Sequence, residues 1–465
     1  MKERLAAAGE WLEHRTGLIG QVQHFLYEEI PASSGWHQVL GSVALFMFMV
    51  QMFTGIMLAF NYAPTPGDSY DSLRYILTAL TAGSLMRGLH HWGASMIVVI
   101  VVLHMVQTFL WGAYKKPREA TWMIGVVLLL VTMAYGLTGY LLPWDNRAYW
   151  GTMVTTQIAA MSPGLGPYLT RLLGAADGVG VVTFARFYAM HVLILPPATI
   201  LLVALHVYLV RRHGVAPNPE DEGKPKKMFF PMQVFKDTVA IFIAFAILFM
   251  LAVAAHVPLE QMADPTDTSY IPRPEWYFLF LFQLLKLFNG PLEVVGAVVL
   301  PGLAVLTLIL VPFIDRGAML KVTKRTFAIA VVFLAAVCWS GLTMAAVKST
   351  PPQESAVDFS YPTDWMQLTP DKLAVSKLPD TPAFAVKGAA VYQANHCSAC
   401  HQVNGVGGKL GPALNGLSKR QTRSWVEQHF LEPQKLSPGT PMPPYKLPAP
   451  DMSNLTLYLF SLPDQ

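Results

Sequence analysis

Four histidines in two apolar stretches constrain this chain more than any other feature: His90 and His104 in one, His191 and His206 in the other. The first pair is fourteen residues apart and the second fifteen. At about 1.5 Å and 100° per residue, each pair falls near one helix face, roughly 21 to 22 Å apart along the axis. An ionisable side chain inside a membrane is costly, so four in matched register require a shared purpose. Two facing helices built this way hold two bis-histidine haems stacked across a membrane. His91 is the rival of His90, but thirteen residues before His104 it points to roughly the opposite side of its helix.

Such helices need a lipid setting. The chain is 53% hydrophobic and only 13% charged, against a usual charged share of about 25%. Runs able to cross about 30 Å of hydrocarbon occur near residues 37–61, 90–111, 121–142, 186–210, 235–256, 293–313 and 326–347, so seven transmembrane helices are expected. The net charge of +4 is small and unevenly placed and gives no reason to expect nucleic acid. Residues 1–35 mix Glu10, Glu13, Arg15, Glu28 and Glu29 with apolar positions and read as an amphipathic surface helix, with the first span as an uncleaved anchor. Cations gather in alternate loops, at Lys115, Lys116 and Arg118, at Arg211 to Lys227, and at Arg316 to Arg325, which places the amino terminus in the cytoplasm. Odd parity then sends the carboxyl terminus outside. In that orientation His90 pairs with His191 near the outer face, and His104 with His206 near the inner one.

Beyond the last span the composition changes, and Ser349 to Pro382, rich in Pro, Ser and Asp, reads as an extended tether. A soluble domain follows, marked by Cys397-Ser398-Ala399-Cys400-His401. Two thiols at this spacing form thioether links to haem, and the adjacent His401 supplies the proximal iron ligand. Met442, in a Pro-rich run from Gly439 to Pro444, is the expected distal ligand; Met452 opens the final amphipathic helix and reads as core. Covalent haem attachment takes place outside the cytoplasm in bacteria, in agreement with the topology. The third cysteine, Cys338, reads as a small buried apolar residue of the last span. No thiols remain for an iron-sulfur cluster.

Over roughly residues 20–347 the chain resembles cytochrome b of the quinol:cytochrome c oxidoreductases, in the short chloroplast-type form with its three-helix partner subunit fused behind it. The resemblance rests on the 101- and 102-residue separations of the paired histidines and the fifteen-residue gap. It rests also on Gly41 with Gly55, Gly125 with Gly139, the run Gly139-Tyr140-Leu141-Leu142-Pro143-Trp144-Asp145, and the tetrapeptide Pro274-Glu275-Trp276-Tyr277. The glycines have a physical role, because haem approaches the helix backbones where a Cβ would collide.

The resemblance implies an all-α membrane protein with a four-helix haem-binding bundle and a small α-helical class I cytochrome c domain. Its parts are an amphipathic segment (1–35), the four-helix haem domain (36–215), a three-helix part with the quinol-site motif (216–348), a linker (349–382) and a monohaem cytochrome c domain (383–465). Two b-type haems, one covalent c-type haem and a quinone or quinol are the implied cofactors. Glu275 would take a proton from the quinol, with Tyr140 and Tyr277 beside it. That chemistry is reasonable, since quinol oxidation releases two protons. Arg87, three residues before His90, either pairs with a haem propionate or snorkels to the interface. Arg211 and Lys224 raise the same question at the inner haem and the inner quinone pocket.

The implied partners are a separate Rieske iron-sulfur protein, a soluble or membrane electron acceptor, membrane lipid and a second copy in a homodimer, in a bacterial inner membrane. The sequence departs from the chloroplast type twice. Val39 stands where a cysteine binds an additional inner haem, so none is expected, and the cytochrome c domain is fused rather than separate. Two rival classes explain less: a b-type membrane anchor lacks the Pro-Glu-Trp-Tyr element, and a transporter leaves the histidine register without a purpose.

Overall fold

The computed structural model describes residues 2–255, 257–260, 262, 263, 265, 270–350, 364–378 and 381–463. Seven helices are long and apolar enough to cross a membrane: Trp36–Ala59, Gly83–Trp111, Glu119–Tyr140, Val181–His213, Met232–Ala254, Gly290–Ile314 and Thr326–Ser349. These spans, numbered one to seven, match the apolar runs, and the second and fourth begin a turn or more earlier than hydropathy indicates.

Spans one, two and five share a core of Val43, Met47, Leu89, Ile100 and Leu248. Spans two and five touch closely, for a Cβ on Gly88 would lie 2.9 Å from the Ala252 carbonyl oxygen. On the other side of the bundle, Tyr114, Trp122 and Val126 pack with Leu308 and Ile309 of span six. Trp122 Nε1 donates to the Leu308 carbonyl at 2.6 Å, so a buried indole on an apolar face keeps its hydrogen bond. A polar clasp joins the loops that follow spans two and six, where Asp315 accepts from Lys115 Nζ (2.5 Å), Tyr114 (2.5 Å) and Arg325 (2.6 Å). The cations that set the orientation therefore also tie the four-helix part to the three-helix part.

The amino-terminal segment departs from the single surface helix expected. It forms two helices, Lys2–Thr16 and Leu18–Leu26, interrupted at Gly17 in the left-handed region (φ +61°), where a residue without Cβ is favoured. Glu29–Ile30 then pairs antiparallel with Lys227–Met228. That pairing puts the amino terminus on the same side as the loop after span four, as four crossings require.

Span four holds the main local irregularity. It runs as an α-helix over Val181–Ala189, widens to a π-turn over Met190–Ile194 and resumes over Leu195–His213. Pro196 and Pro197 lack the amide protons that would bond the carbonyls one turn back, and Leu195 N–H bonds Met190 O instead. The wide turn absorbs one residue. It brings the fifteen-residue gap of this span into step with the fourteen-residue gap of span two.

The carboxy-terminal domain is built on Ala383–Ala394 crossing Ala449–Ser461, at a contact so close that a Cβ on Gly388 would lie 2.3 Å from Asn454 O. Its core holds Phe384, Tyr392, Val403, Leu455, Tyr458 and Phe460. The expected tether is not extended throughout. Residues 351–363 lie outside the described residues, but Trp365, Met366 and Leu373 are buried against this domain, and Asn404 Nδ2 donates to Met366 O (2.8 Å) and Leu368 O (2.7 Å). The domain also packs on the membrane part, with Arg423, Leu457 and Phe460 meeting Tyr70, Arg74 and Met262. Cys338, expected inside, is exposed on span seven.

Candidate functional site

Two histidine pairs converge inside the bundle. The His90 and His191 rings face each other with centroids 6.3 Å apart, the separation that two in-line metal–nitrogen bonds of about 2 Å leave between imidazoles. His104 and His206 pair at the other end, close enough to interact electrostatically. His91 turns away and packs on Trp92 at 5.0 Å.

Each expected glycine backs one of these imidazoles. A Cβ on Gly55 would sit 3.2 Å from His90 Cε1, on Gly139 2.6 Å from His191 Cε1, and on Gly41 and Gly125 3.4 Å from His104 and His206. The glycines of spans one and three thus leave room for the rings of spans two and four. These positions fit haem. The imidazoles are paired and half-buried, a glycine backs each of them, and among the described residues no group of three or more His, Cys, Asp or Glu side chains converges on a bare ion. A porphyrin supplies the remaining iron ligands itself.

Around the outer pair, in the orientation the loop charges imply, the Pro-Glu-Trp-Tyr segment is pinned from three directions. Trp276 Nε1 donates to Ser95 Oγ of span two at 3.1 Å. The Tyr277 ring abuts Gly136 of span three, and Tyr140 Oη donates to the Arg273 carbonyl at 2.9 Å. Glu275 forms an ion pair with Arg147 Nη2 at 3.3 Å, and that guanidinium lies 5.8 Å from the Tyr140 ring centroid. Arg147 carried no signal in the sequence beyond being one cation in an outer loop. Its place is set by Asp145, whose side chain caps Asn146–Ala160 by accepting from Ala148 N at 2.8 Å.

Asp145 also accepts from Glu260 N–H at 3.1 Å, and Glu260 accepts from Tyr270 Oη at 2.7 Å. Burial, and then the neighbouring Asp145 carboxylate, push the Glu260 carboxyl above the usual carboxylate range. Arg87 does not snorkel. It is buried, and its guanidinium donates to Val257 O (2.8 Å) and Pro258 O (2.9 Å), holding this outer loop onto span two.

At the inner end, Arg211 is engaged with Glu28 and the Phe25 carbonyl, and Lys224 is exposed. The buried polar cluster there is a different one. Asp237 accepts from Ser42 Oγ (3.0 Å) and Gln233 Nε2 (2.9 Å), and nearby His37 stacks on Trp111 at 4.9 Å. Hydropathy hides Asp237, because one acid in an apolar run barely alters its mean.

In the carboxy-terminal domain, Cys397, Cys400, His401, Met442, Leu455 and Leu459 line a cavity of about 350 Å³. His401 Nδ1 lies 2.8 Å from Pro412 O, which leaves Nε2 free to bind iron, and a Cβ on Gly411 would collide with the same ring. Met452 is buried among core residues and does not line the cavity.

Comparisons with known proteins agree with this geometry. Residues 29–214 match the family "Cytochrome b/b6/petB", 262–361 "Cytochrome b(C-terminal)/b6/petD" and 385–463 "Cytochrome c". The cytochrome bc complex cytochrome b subunit of Chlorobaculum thiosulfatiphilum is 36% identical over 324 residues, 68% of this chain and 75% of that protein. Cytochrome b6 of Synechococcus sp. (strain JA-3-3Ab) is 35% identical over 207 residues, 44% of this chain and 96% of that protein. Among solved structures, a chain of "Hyperthermophilic respiratory Complex III" superposes with a TM-score of 0.65 at 30% identity, covering 74% of this chain and 92% of that one. The chain therefore belongs to the cytochrome b/b6 family, the membrane subunits of the quinol:cytochrome c oxidoreductases, and carries a cytochrome c domain at its carboxyl end.

Proposed function

We propose that this chain oxidises a quinol beside Glu275 and Tyr140 at the outer end of the bundle, in a bacterial inner membrane. The observation that carries the reading is the Arg147–Glu275 pair, held against Tyr140 and pinned to the span that carries His90. A carboxylate anchored by one hydrogen-bonded cation keeps its other oxygen free to accept a proton from a quinol hydroxyl. Tyr140 and Tyr277 fill the sides of the niche and exclude water. When bound, two b haems on His90 with His191 and His104 with His206, and a c haem on Cys397, Cys400, His401 and Met442, supply one-electron transfer.

One electron would leave through a separate Rieske iron-sulfur protein towards the carboxy-terminal domain, and thence to a soluble or membrane acceptor. The other would cross inward to reduce a quinone near the cytoplasmic face, with buried Asp237 and half-buried His37 as candidate groups to supply protons. Release of protons outside and uptake inside would generate a gradient. Further subunits accord with the relative named as a subunit of a cytochrome bc complex, and the assembly would be a homodimer.

Glu275→Gln tests the catalytic part. The amide keeps the shape of the side chain but cannot take a proton, so quinol oxidation should slow by about 10²- to 10⁴-fold, with the b and c haem spectra unchanged. Wild-type turnover across the pH range would remove Glu275 from the mechanism.

A further inference from the structure

The two ends of the bundle are built on the same plan but differ in one residue type. At the outer end a threonine precedes each backing glycine, as Thr54-Gly55 and Thr138-Gly139; at the inner end the equivalent positions are Leu40-Gly41 and Ile124-Gly125. Thr54 Oγ1 donates its proton to Val50 O at 2.7 Å and lies 3.0 Å from His90 Nδ1. Thr138 Oγ1 donates to Ala134 O at 2.7 Å and lies 3.1 Å from His191 Nδ1. A hydroxyl has one proton, and in both threonines a carbonyl one turn back takes it. Each oxygen is therefore an acceptor towards the imidazole, and both rings carry their proton on Nδ1, with Nε2 left as the lone-pair nitrogen. Both threonines are buried, so water does not compete for these bonds.

The inner rings have no such partner. His104 Nδ1 and His206 Nδ1 are buried without a hydrogen bond among the described residues; His206 lies near the Thr121 carbonyl just as His90 lies near that of Gln51 and His191 near that of Tyr135, so a nearby carbonyl is not peculiar to one end.

We infer that Thr54 and Thr138 are positioning residues that lower the reduction potential of the outer b haem. The inference rests on the reading that these histidine pairs hold the b haems. An imidazole whose N–H is given to an acceptor is the stronger donor at its other nitrogen. Each threonine oxygen is itself polarised by donating onward to a carbonyl, which strengthens the bond it accepts. The stronger donors favour ferric over ferrous iron, which lowers the potential at the outer site alone. The backing glycines are common to both ends, so the difference comes from the hydroxyls.

Potentiometric titration of the b haems in the purified, haem-loaded complex tests this, with the wave lost in His90→Leu identifying the outer haem. In the Thr54→Val/Thr138→Val variant, nearly the same shape without the hydroxyls, the outer wave should rise by about 59 mV, which for one electron is a tenfold change in ferric over ferrous preference, while the inner wave stays in place. Thr54→Ser/Thr138→Ser should restore the native value. The reciprocal variant Leu40→Thr/Ile124→Thr should lower the inner wave. Unmoved waves in both variants, with both b haems present, would overturn the inference and leave the haem assignment standing. If the valine variant loses haem, the reciprocal variant decides alone. Absence of b haem from the wild-type complex would instead refute the underlying reading.

Discussion

In the carboxy-terminal domain two thiols and a histidine lie within five consecutive residues, and one carbonyl, that of Pro412, orients the ring. In the membrane bundle the paired histidines are about a hundred residues apart, and each ring is set by a glycine on a third helix. The first site is a local motif that needs only a cavity around it. The second exists only if four helices hold their axial register, and the π-turn that contains His191 shows that register being adjusted by one residue. A local site therefore tolerates change in its surroundings, whereas a distributed one is sensitive to the packing of its supports.

Loss of a ligand separates the two regions most sharply. His104→Leu or His206→Leu should abolish the inner b haem and leave the His401-ligated haem in place, because the two sites fold in different solvents. The reduced-minus-oxidised spectrum should lose one b component and retain the c band. A full b-haem complement in either variant would break the pairing.

The glycine supports grade the same comparison. Gly139→Ala brings a methyl to 2.6 Å from His191 Cε1, whereas Gly41→Ala makes only a tight contact of 3.4 Å with His104. Overpacking of the first kind costs about 1 to 3 kcal/mol. Outer haem occupancy after purification should therefore fall in the first variant, while inner haem occupancy stays near native in the second; equal losses would mean that ring clearance is not what the glycines provide.

Within the carboxy-terminal domain, Met442 and Met452 should part company. Met442→Ala should lower the haem c potential and open the iron to added ligands such as imidazole, with the domain still folded. Met452→Ala should instead cost about 2 to 5 kcal/mol of domain stability in a denaturant titration, as for a buried side chain truncated to Ala. A potential that follows Met452 would reverse the assignment.

The smallest effect concerns how the two regions are joined. Tethering supplies an effective concentration of the order of millimolar, and Leu457 and Phe460 already pack against the helix of Tyr70 and the outer loop at Met262. Cleavage within residues 351–363 at low protein concentration should slow reduction of haem c, as seen by stopped-flow absorbance, with b-haem reduction unchanged. Native rates after the released domain is diluted away would show that the tether has no kinetic role.

The legible parts of this protein were those whose physics is local. Seven apolar runs, the fourteen-residue spacing of His90 and His104, and the Cys-x-x-Cys-His motif each depend on the chain within a few turns of itself, so residue type and spacing made them legible. Even the error at the amino terminus was local: Gly17 in the left-handed region divides what apolar pattern alone reads as one helix. The tertiary structure alone decided that Arg147 meets Glu275 across 128 residues, that Arg87 clasps the outer loop, that Asp237 is buried against Ser42 and Gln233, and that two threonine hydroxyls meet the outer imidazoles. Those contacts join residues far apart in the chain, and a charge or a hydroxyl carries no mark of the partner it will find until helix packing brings the two within hydrogen-bond reach.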